Sequence, residues 1–152
     1  MMTGMMKIST KGRYALRVMV ELARQNVGTE QPLSLRAVAE RQHITLKYLE
    51  NITTMLLREG LVSSVRGKAG GYRLTRPAAQ YTVYDILRAT EGDLEPVSCL
   101  AANAPACSMA QHCITLPVWQ GLHKVVREYL EGISLADLAE QTPGEFSYCD
   151  GI

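Results

Sequence analysis

Tyr14, Ala15, Val18, Met19, Leu22 and Ala23 recur at three- and four-residue spacing, which predicts an amphipathic helix capped by Ser9 or Thr10 and running to about Gln25. After a turn at Asn26 to Pro32, Ser34 announces a shorter helix with Leu35, Val38 and Ala39 on one face, ending near Gln42. His43, Ile44 and Thr45 separate it from a third helix, Leu46 to about Glu59. There Tyr48, Leu49, Ile52, Leu56 and Leu57 again repeat helically, and Gly60 is the stop. Two helices joined by three residues, the second entered through a polar cap, form the pattern of a helix-turn-helix. The period then changes. Leu61 to Val65 reads as a strand, Arg66 to Gly71 as a glycine-rich turn and Tyr72 to Leu74 as a returning strand, with Arg66, Lys68 and Arg73 on or beside the tip. The glycines are expected to supply positive φ angles and to let the backbone approach a phosphate closely. Helix, turn, helix and basic hairpin in this order make a winged helix. Such a fold reads DNA with one helix in the major groove and the hairpin beside or in the minor groove.

Beyond Pro77, Thr82 caps a helix through Val83, Ile86, Leu87 and Ala89 that closes at Gly92. From Asp93 to Gln111 periodicity disappears and the composition turns to Ala, Pro, Ser, Asn and Cys, the mark of a long loop with a function or of disorder. A long helix resumes near Leu116 with Trp119, Leu122, Val125, Val126, Tyr129 and Leu130 at helical spacing as far as Gly132, and Ser134 caps a last one, Leu135 to Glu140. The fold class expected is mainly α with a small β-hairpin. Its parts are a winged helix-turn-helix domain over 6–80, a loop (93–113) and a long helix (about 116–132) within 81–141, and a mobile tail over 142–152 that includes Cys149. The long helix carries more apolar face than so small a domain can cover. It either folds back on its own core or pairs with a second copy, making a homodimer that presents two reading helices to a palindromic site.

Charge sharpens this picture. The whole chain of 152 residues carries a formal net charge of +1, yet thirteen of its lysines and arginines fall before residue 81 against five carboxylates, and three fall after it against ten. A basic first half suits a polyanion such as double-stranded DNA, whereas mutual attraction of the halves in a dimer would be the bland explanation. No apolar run approaches the ~18–20 residues of a membrane span, and Met1 to Met6 lack the features of a signal peptide, so a soluble cytoplasmic protein with no membrane partner is expected. The glycines of the hairpin lack the terminal Lys-Ser/Thr of a phosphate-binding loop and no helix follows them. No nucleophile, base and orienting group occur together either, so the chain does not read as an enzyme.

Cys99, Cys107 and Cys113 all fall in the one irregular stretch, with seven and five residues between them. Three thiols leave one over from a disulfide, and the close C-x2–4-C pairs usual for structural zinc are absent. An iron-sulfur cluster accepts looser spacing, because an irregular loop can wrap it and thiolates suit iron. A fourth ligand is then needed. His112 beside Cys113 is the candidate, with His43, His123, Cys149 or a group from a partner subunit also open.

Met6 to Leu16, Tyr48-Leu49-Glu50, Gly60 to Gly67 and Gly70-Gly71-Tyr72 resemble the Rrf-type winged-helix transcription regulators, nearest to IscR-like members, with NsrR-like and CymR-like members as relatives. The resemblance implies a DNA-binding regulator of iron-sulfur cluster biogenesis genes, with a two-iron two-sulfur cluster as sensor. A nitric oxide or redox-responsive regulator of the same family is the alternative, and a small iron-sulfur electron-transfer protein is the rival from another class. In IscR-like members a histidine three residues after the last cysteine completes the ligand set, and here that position is Leu116. NsrR-like members use an aspartate early in the partner's first helix, where this chain has Arg13. CymR-like members lack the cysteine trio. By the family pattern Thr45, Lys47 and Glu50 read DNA from the third helix and Arg66 enters the minor groove. The chemistry agrees, since a carboxylate can accept from cytosine N4 and arginine suits a narrow groove of strongly negative potential. Lys11, Arg13, Lys47 and Lys68 suit phosphates.

Overall fold

In a computed structural model, which describes residues 7–25 and 31–141, the chain forms six α-helices and one two-stranded antiparallel sheet. They are α1 (Thr10–Gln25), α2 (Leu35–Gln42), α3 (Leu46–Arg58), β1 (Val62–Val65), β2 (Gly71–Leu74), α4 (Val83–Glu91), α5 (Leu116–Glu131) and α6 (Leu135–Glu140). The Met-rich start, most of the Asn26 to Pro32 turn and the tail from Thr142 with Cys149 lie outside the described residues.

The helical periods place one stripe of each helix in a common core. Ala15, Val18, Met19 and Leu22 of α1, Val38 of α2, and Leu49, Ile52 and Leu56 of α3 are buried together, and the later chain adds Tyr81, Ile86 and Leu135. Each buried valine, leucine, isoleucine or methionine among them contributes roughly 1.5–3 kcal/mol by leaving water. Thr53 is the polar exception in this core, and its hydroxyl is satisfied by donating to the Leu49 and Glu50 carbonyls. Arg41 of α2 pairs with Glu21 of α1 at 2.5 Å. Burial pushes the Glu21 carboxyl up, but hydrogen bonds from Arg41 and Gln42 and the Arg41 charge outweigh it and hold the group below its ordinary value.

The caps explain the boundaries. Thr45 accepts from the Tyr48 N–H at the start of α3, and Thr82 with Asp85 and Ser134 with Asp137 form reciprocal capping boxes on α4 and α6. Ser34 precedes α2 in extended conformation but its side chain makes no capping hydrogen bond, so its expected role passes to its carbonyl, which accepts from Val38. The C-terminal end of α3 closes through Gly60, with the Leu61 N–H donating to the Leu56 carbonyl at 2.9 Å. Between α2 and α3, His43 adopts the left-handed conformation (φ 54°) that glycine or asparagine usually fills.

β1 and β2 pair with Val62 opposite Leu74 and Val65 opposite Gly71. Leu33 adds a short third edge by exchanging two backbone hydrogen bonds with Tyr72. Tyr81, fully buried, locks the base of the hairpin: its hydroxyl donates to the Leu61 carbonyl at 2.7 Å and accepts from the Thr75 and Arg76 N–H groups. A second, smaller cluster of Val83, Tyr84, Leu87 and Leu94 receives Leu130 from the end of α5 and Ile133 from the link that follows it.

Candidate nucleic-acid interface and cysteine loop

The stripe of α3 opposite its buried residues is polar throughout. Lys47, Glu50, Asn51, Thr54 and Arg58 are all exposed, and Thr45 is exposed at the helix entrance. Asn51, four residues after Lys47 and three before Thr54, belongs to the same face by helical spacing, although no motif marks it in the sequence; its amide can bond an adenine edge through two atoms. The Tyr48 ring, on the side toward α1, meets Tyr14 edge-on with centroids 5.9 Å apart, which fixes α3 against α1.

The hairpin tip exposes Arg66 and Lys68, while Arg73, opposite Ser63 in the ladder, is half-buried. Only Gly67 of the tip glycines takes a positive φ, 115°. Gly71 serves another purpose: a Cβ there would collide with the Leu33 backbone, so its missing side chain admits a strand edge of the same chain, not the phosphate expected from sequence. Among the described residues no hydrogen bond or ion pair engages the side chains of Lys47, Glu50, Arg66 or Lys68, which leaves them free for an outside partner. Lys11 is half-buried in the first turn of α1. Arg13 is exposed there and donates to the Thr10 hydroxyl at 3.0 Å.

The cysteine stretch is built differently. A short 3₁₀ turn spans Ser98–Leu100, and the other backbone hydrogen bonds between Val97 and His112 are local, such as Ala104 to Ala101 and His112 to Met109. Leu94 is its one buried anchor, at the start. Cys99, Cys107 and His112 are exposed and Cys113 is half-buried. Among the described residues no three His, Cys, Asp or Glu side chains converge as metal ligands, so the structure does not bring Cys99, Cys107, Cys113 and His112 to one point. The physical reason lies in those local turns, since no tertiary bond draws the thiols together. The donor set itself fits an iron-sulfur cluster: three thiols, two of them exposed, share one segment whose backbone hydrogen bonds are local. The Thr115 hydroxyl, 3.5 Å from Cys113 Sγ, and the Thr115 and Leu116 amides hold the Cys113 thiol below its ordinary range, which favours the thiolate that binds iron.

Of the other candidates for a fourth ligand, His43 is exposed in the helix-turn-helix turn. His123 is half-buried on α5 with Nδ1 buried and unpaired, and Leu116 opens that helix.

No residue of α5 is buried. Its apolar positions split into two faces: Leu116, Trp119, Val126 and Leu130 are half-buried, whereas Val118, Leu122, Val125 and Tyr129, spaced by four, three and four, are 59%, 37%, 62% and 50% exposed. No helix among the described residues is long and apolar enough to cross a membrane.

The chain from residue 8 to 141 matches the family described as "Rrf2: Iron-dependent Transcriptional regulator". It is 41% identical over 138 residues to the HTH-type transcriptional regulator IscR of Cereibacter sphaeroides, covering 88% of this chain and 86% of the relative. Among solved structures it is similar to CymR, the global cysteine regulator of B. subtilis, with TM-score 0.72 and 36% identity over 90% of this chain and 98% of that one. It is also similar to T. potens IscR, with TM-score 0.67 and 36% identity over 91% and 93%.

Proposed function

The chain belongs to the Rrf2 family of transcriptional regulators, and from that premise we propose that it acts in the cytoplasm as a homodimer on palindromic double-stranded DNA, regulating iron-sulfur cluster biogenesis genes. Its sensor is an iron-sulfur cluster of the two-iron two-sulfur type held by Cys99, Cys107 and Cys113, with His112 as the candidate fourth ligand. The observation that carries this reading is where the cysteine loop lies: it joins α4, which packs on α1, to α5, whose outward face is apolar. A group closed in that loop can shift the balance between two placements of the reading domains. When bound, the cluster supplies a centre whose loss or oxidation changes how the thiols are held.

The chain's own residues do the rest. Thr45, Lys47 and Glu50, joined by Asn51, meet base edges in the major groove; Arg66 enters the minor groove; Lys11, Arg13 and Lys68 hold phosphates. Val118, Leu122, Val125 and Tyr129 form a seam of coiled-coil spacing that a second copy covers. Within it Gly121, where an added Cβ would meet nothing, lets the partner helix come close. Val125→Lys is expected to turn the dimer into folded monomers, weakening self-association by about tenfold or more, read by sedimentation.

A nitric oxide or redox-responsive regulator is the second reading, favoured by the exposure of Cys99 and Cys107 and the lowered Cys113 thiol. The electron-transfer rival loses its ground in a family of transcription regulators. The test is selection of duplexes from a random pool, followed by the same selection after Cys99→Ala, Cys107→Ala and Cys113→Ala. A palindromic consensus, with visible colour lost in the three variants, is expected. Binding that is weak and equal for every sequence, or colour kept in all three, overturns the proposal.

A further inference from the structure

Glu91 is the last residue of α4, and Gly92 and the cysteine loop follow it. Its Oε1 accepts from the Ser9 N–H at 3.1 Å, the Ser9 hydroxyl at 2.5 Å and the Gly12 N–H at 3.0 Å. The opening N–H groups of a helix have no partner within it and carry partial positive charge; here the Gly12 N–H is shared between the Ser9 hydroxyl at 3.4 Å and the Glu91 carboxylate, so a residue from far along the chain completes the cap that Ser9 begins. The junction is shaped to admit it: Gly12 is buried, and a Cβ added there would run into the Glu91 carboxylate. The same turn of α1 carries Lys11 and Arg13, and one residue further Tyr14 meets Tyr48 of the reading helix. On the other side Gly92 turns the chain with φ 76° into the loop, which Leu94 anchors beside Tyr84 and Leu87.

We infer that Glu91 is a positioning residue for DNA binding, a tie through which displacement of the cysteine loop reaches Lys11, Arg13 and, by way of Tyr14 and Tyr48, α3. This rests on the loop being the regulator's input, as proposed above, though not on which group the loop binds.

The test uses the full chain carrying Cys149→Ser, with Glu91→Gln, Glu91→Ala and Gly12→Ala made in it. The probe is a fluorescent duplex selected from a random pool by the parent protein, and the loop is perturbed by N-ethylmaleimide on Cys99, Cys107 and Cys113. Anisotropy titrations over a salt series are expected to show the adduct changing the parent's affinity by about fivefold or more and that of Glu91→Ala by less than about twofold. Glu91→Gln, whose amide oxygen still accepts, keeps part of the response. Glu91→Ala and Gly12→Ala each reduce the salt slope by about one, the signature of a misplaced phosphate contact. An equal response in parent and Glu91→Ala, a parent that does not respond, or a fall in melting temperature with an unchanged salt slope overturns the inference. Iron and sulfide counts on the same preparations judge the cluster separately, since an iron-free parent with the full relay response ends the cluster reading and leaves the tie standing.

Discussion

The hairpin tip and the cysteine loop are both irregular, both exposed and both rich in candidate chemistry, but they are held in opposite ways. The tip stands on a paired ladder whose base is bonded to the buried Tyr81 hydroxyl and whose flank is bonded to Leu33. The loop has one buried anchor, Leu94, and otherwise local turns. Arg66 and Lys68 are therefore carried on a pre-set frame and need only their partner, whereas Cys99, Cys107 and Cys113 need a partner to acquire a frame. Pre-set donors suit recognition of a rigid duplex, and donors assembled by the ligand suit a sensor, because binding then changes the structure.

The comparison breaks most visibly in stability. Leu56→Ala, at a fully buried position of the frame, is expected to lower unfolding free energy by about 2–5 kcal/mol, while Ile114→Ala, 93% exposed beside the loop, changes it by less than about 0.5 kcal/mol in urea titrations. Similar losses at both positions would mean that the loop is held by contacts it does not display. Next comes recognition. Glu50→Gln should cost about 1–3 kcal/mol at one base pair of the selected site and relax preference there, whereas Lys68→Ala should weaken all sequences alike, as competition titrations distinguish.

A smaller effect lies in the helix-turn-helix turn. His43→Gly relieves a left-handed conformation and should raise stability, by about 0.5–1 kcal/mol at most once the freedom glycine adds to the unfolded chain is set against it; a loss would show that the imidazole is engaged. The subtlest is chemical. Because hydrogen bonds, first of all from the Thr115 hydroxyl, hold the Cys113 thiol below its ordinary range, its thiolate appears at lower pH, and alkylation of Cys113 by iodoacetamide should rise at lower pH than for an unperturbed thiol. Thr115→Val should move that rise back toward higher pH, read by peptide mass spectrometry.

Much of the frame was legible because its periods are strong and its caps are local. The three helices of the first half, the hairpin and the Thr82 and Ser134 caps fall where spacing and capping chemistry put them. Three features were not. Ser9 caps α1 as its position suggests, but Glu91 joins that cap from 82 residues away, and no local pattern announces a contact of that separation. His43 stands where turn chemistry expects glycine or asparagine, so its backbone angle is invisible in the letters. The apolar residues of α5 read as one stripe, yet a stripe wider than the neighbour it meets divides, and Val118, Leu122 and Val125 remain outward. The cysteine trio was legible as a cluster of donors, but donors without tertiary bonds carry no geometry of their own. Resemblance adds a further lesson, since the likenesses to IscR and to CymR are of comparable strength and leave the loop chemistry to decide between them.

Anaerobic purification followed by a visible spectrum with iron and acid-labile sulfide counts tests the sensor directly. The account predicts a coloured protein with about two irons and two sulfides per chain, lost when any loop cysteine is replaced by alanine. A colourless, iron-free protein that still binds its selected palindrome with full affinity would contradict it.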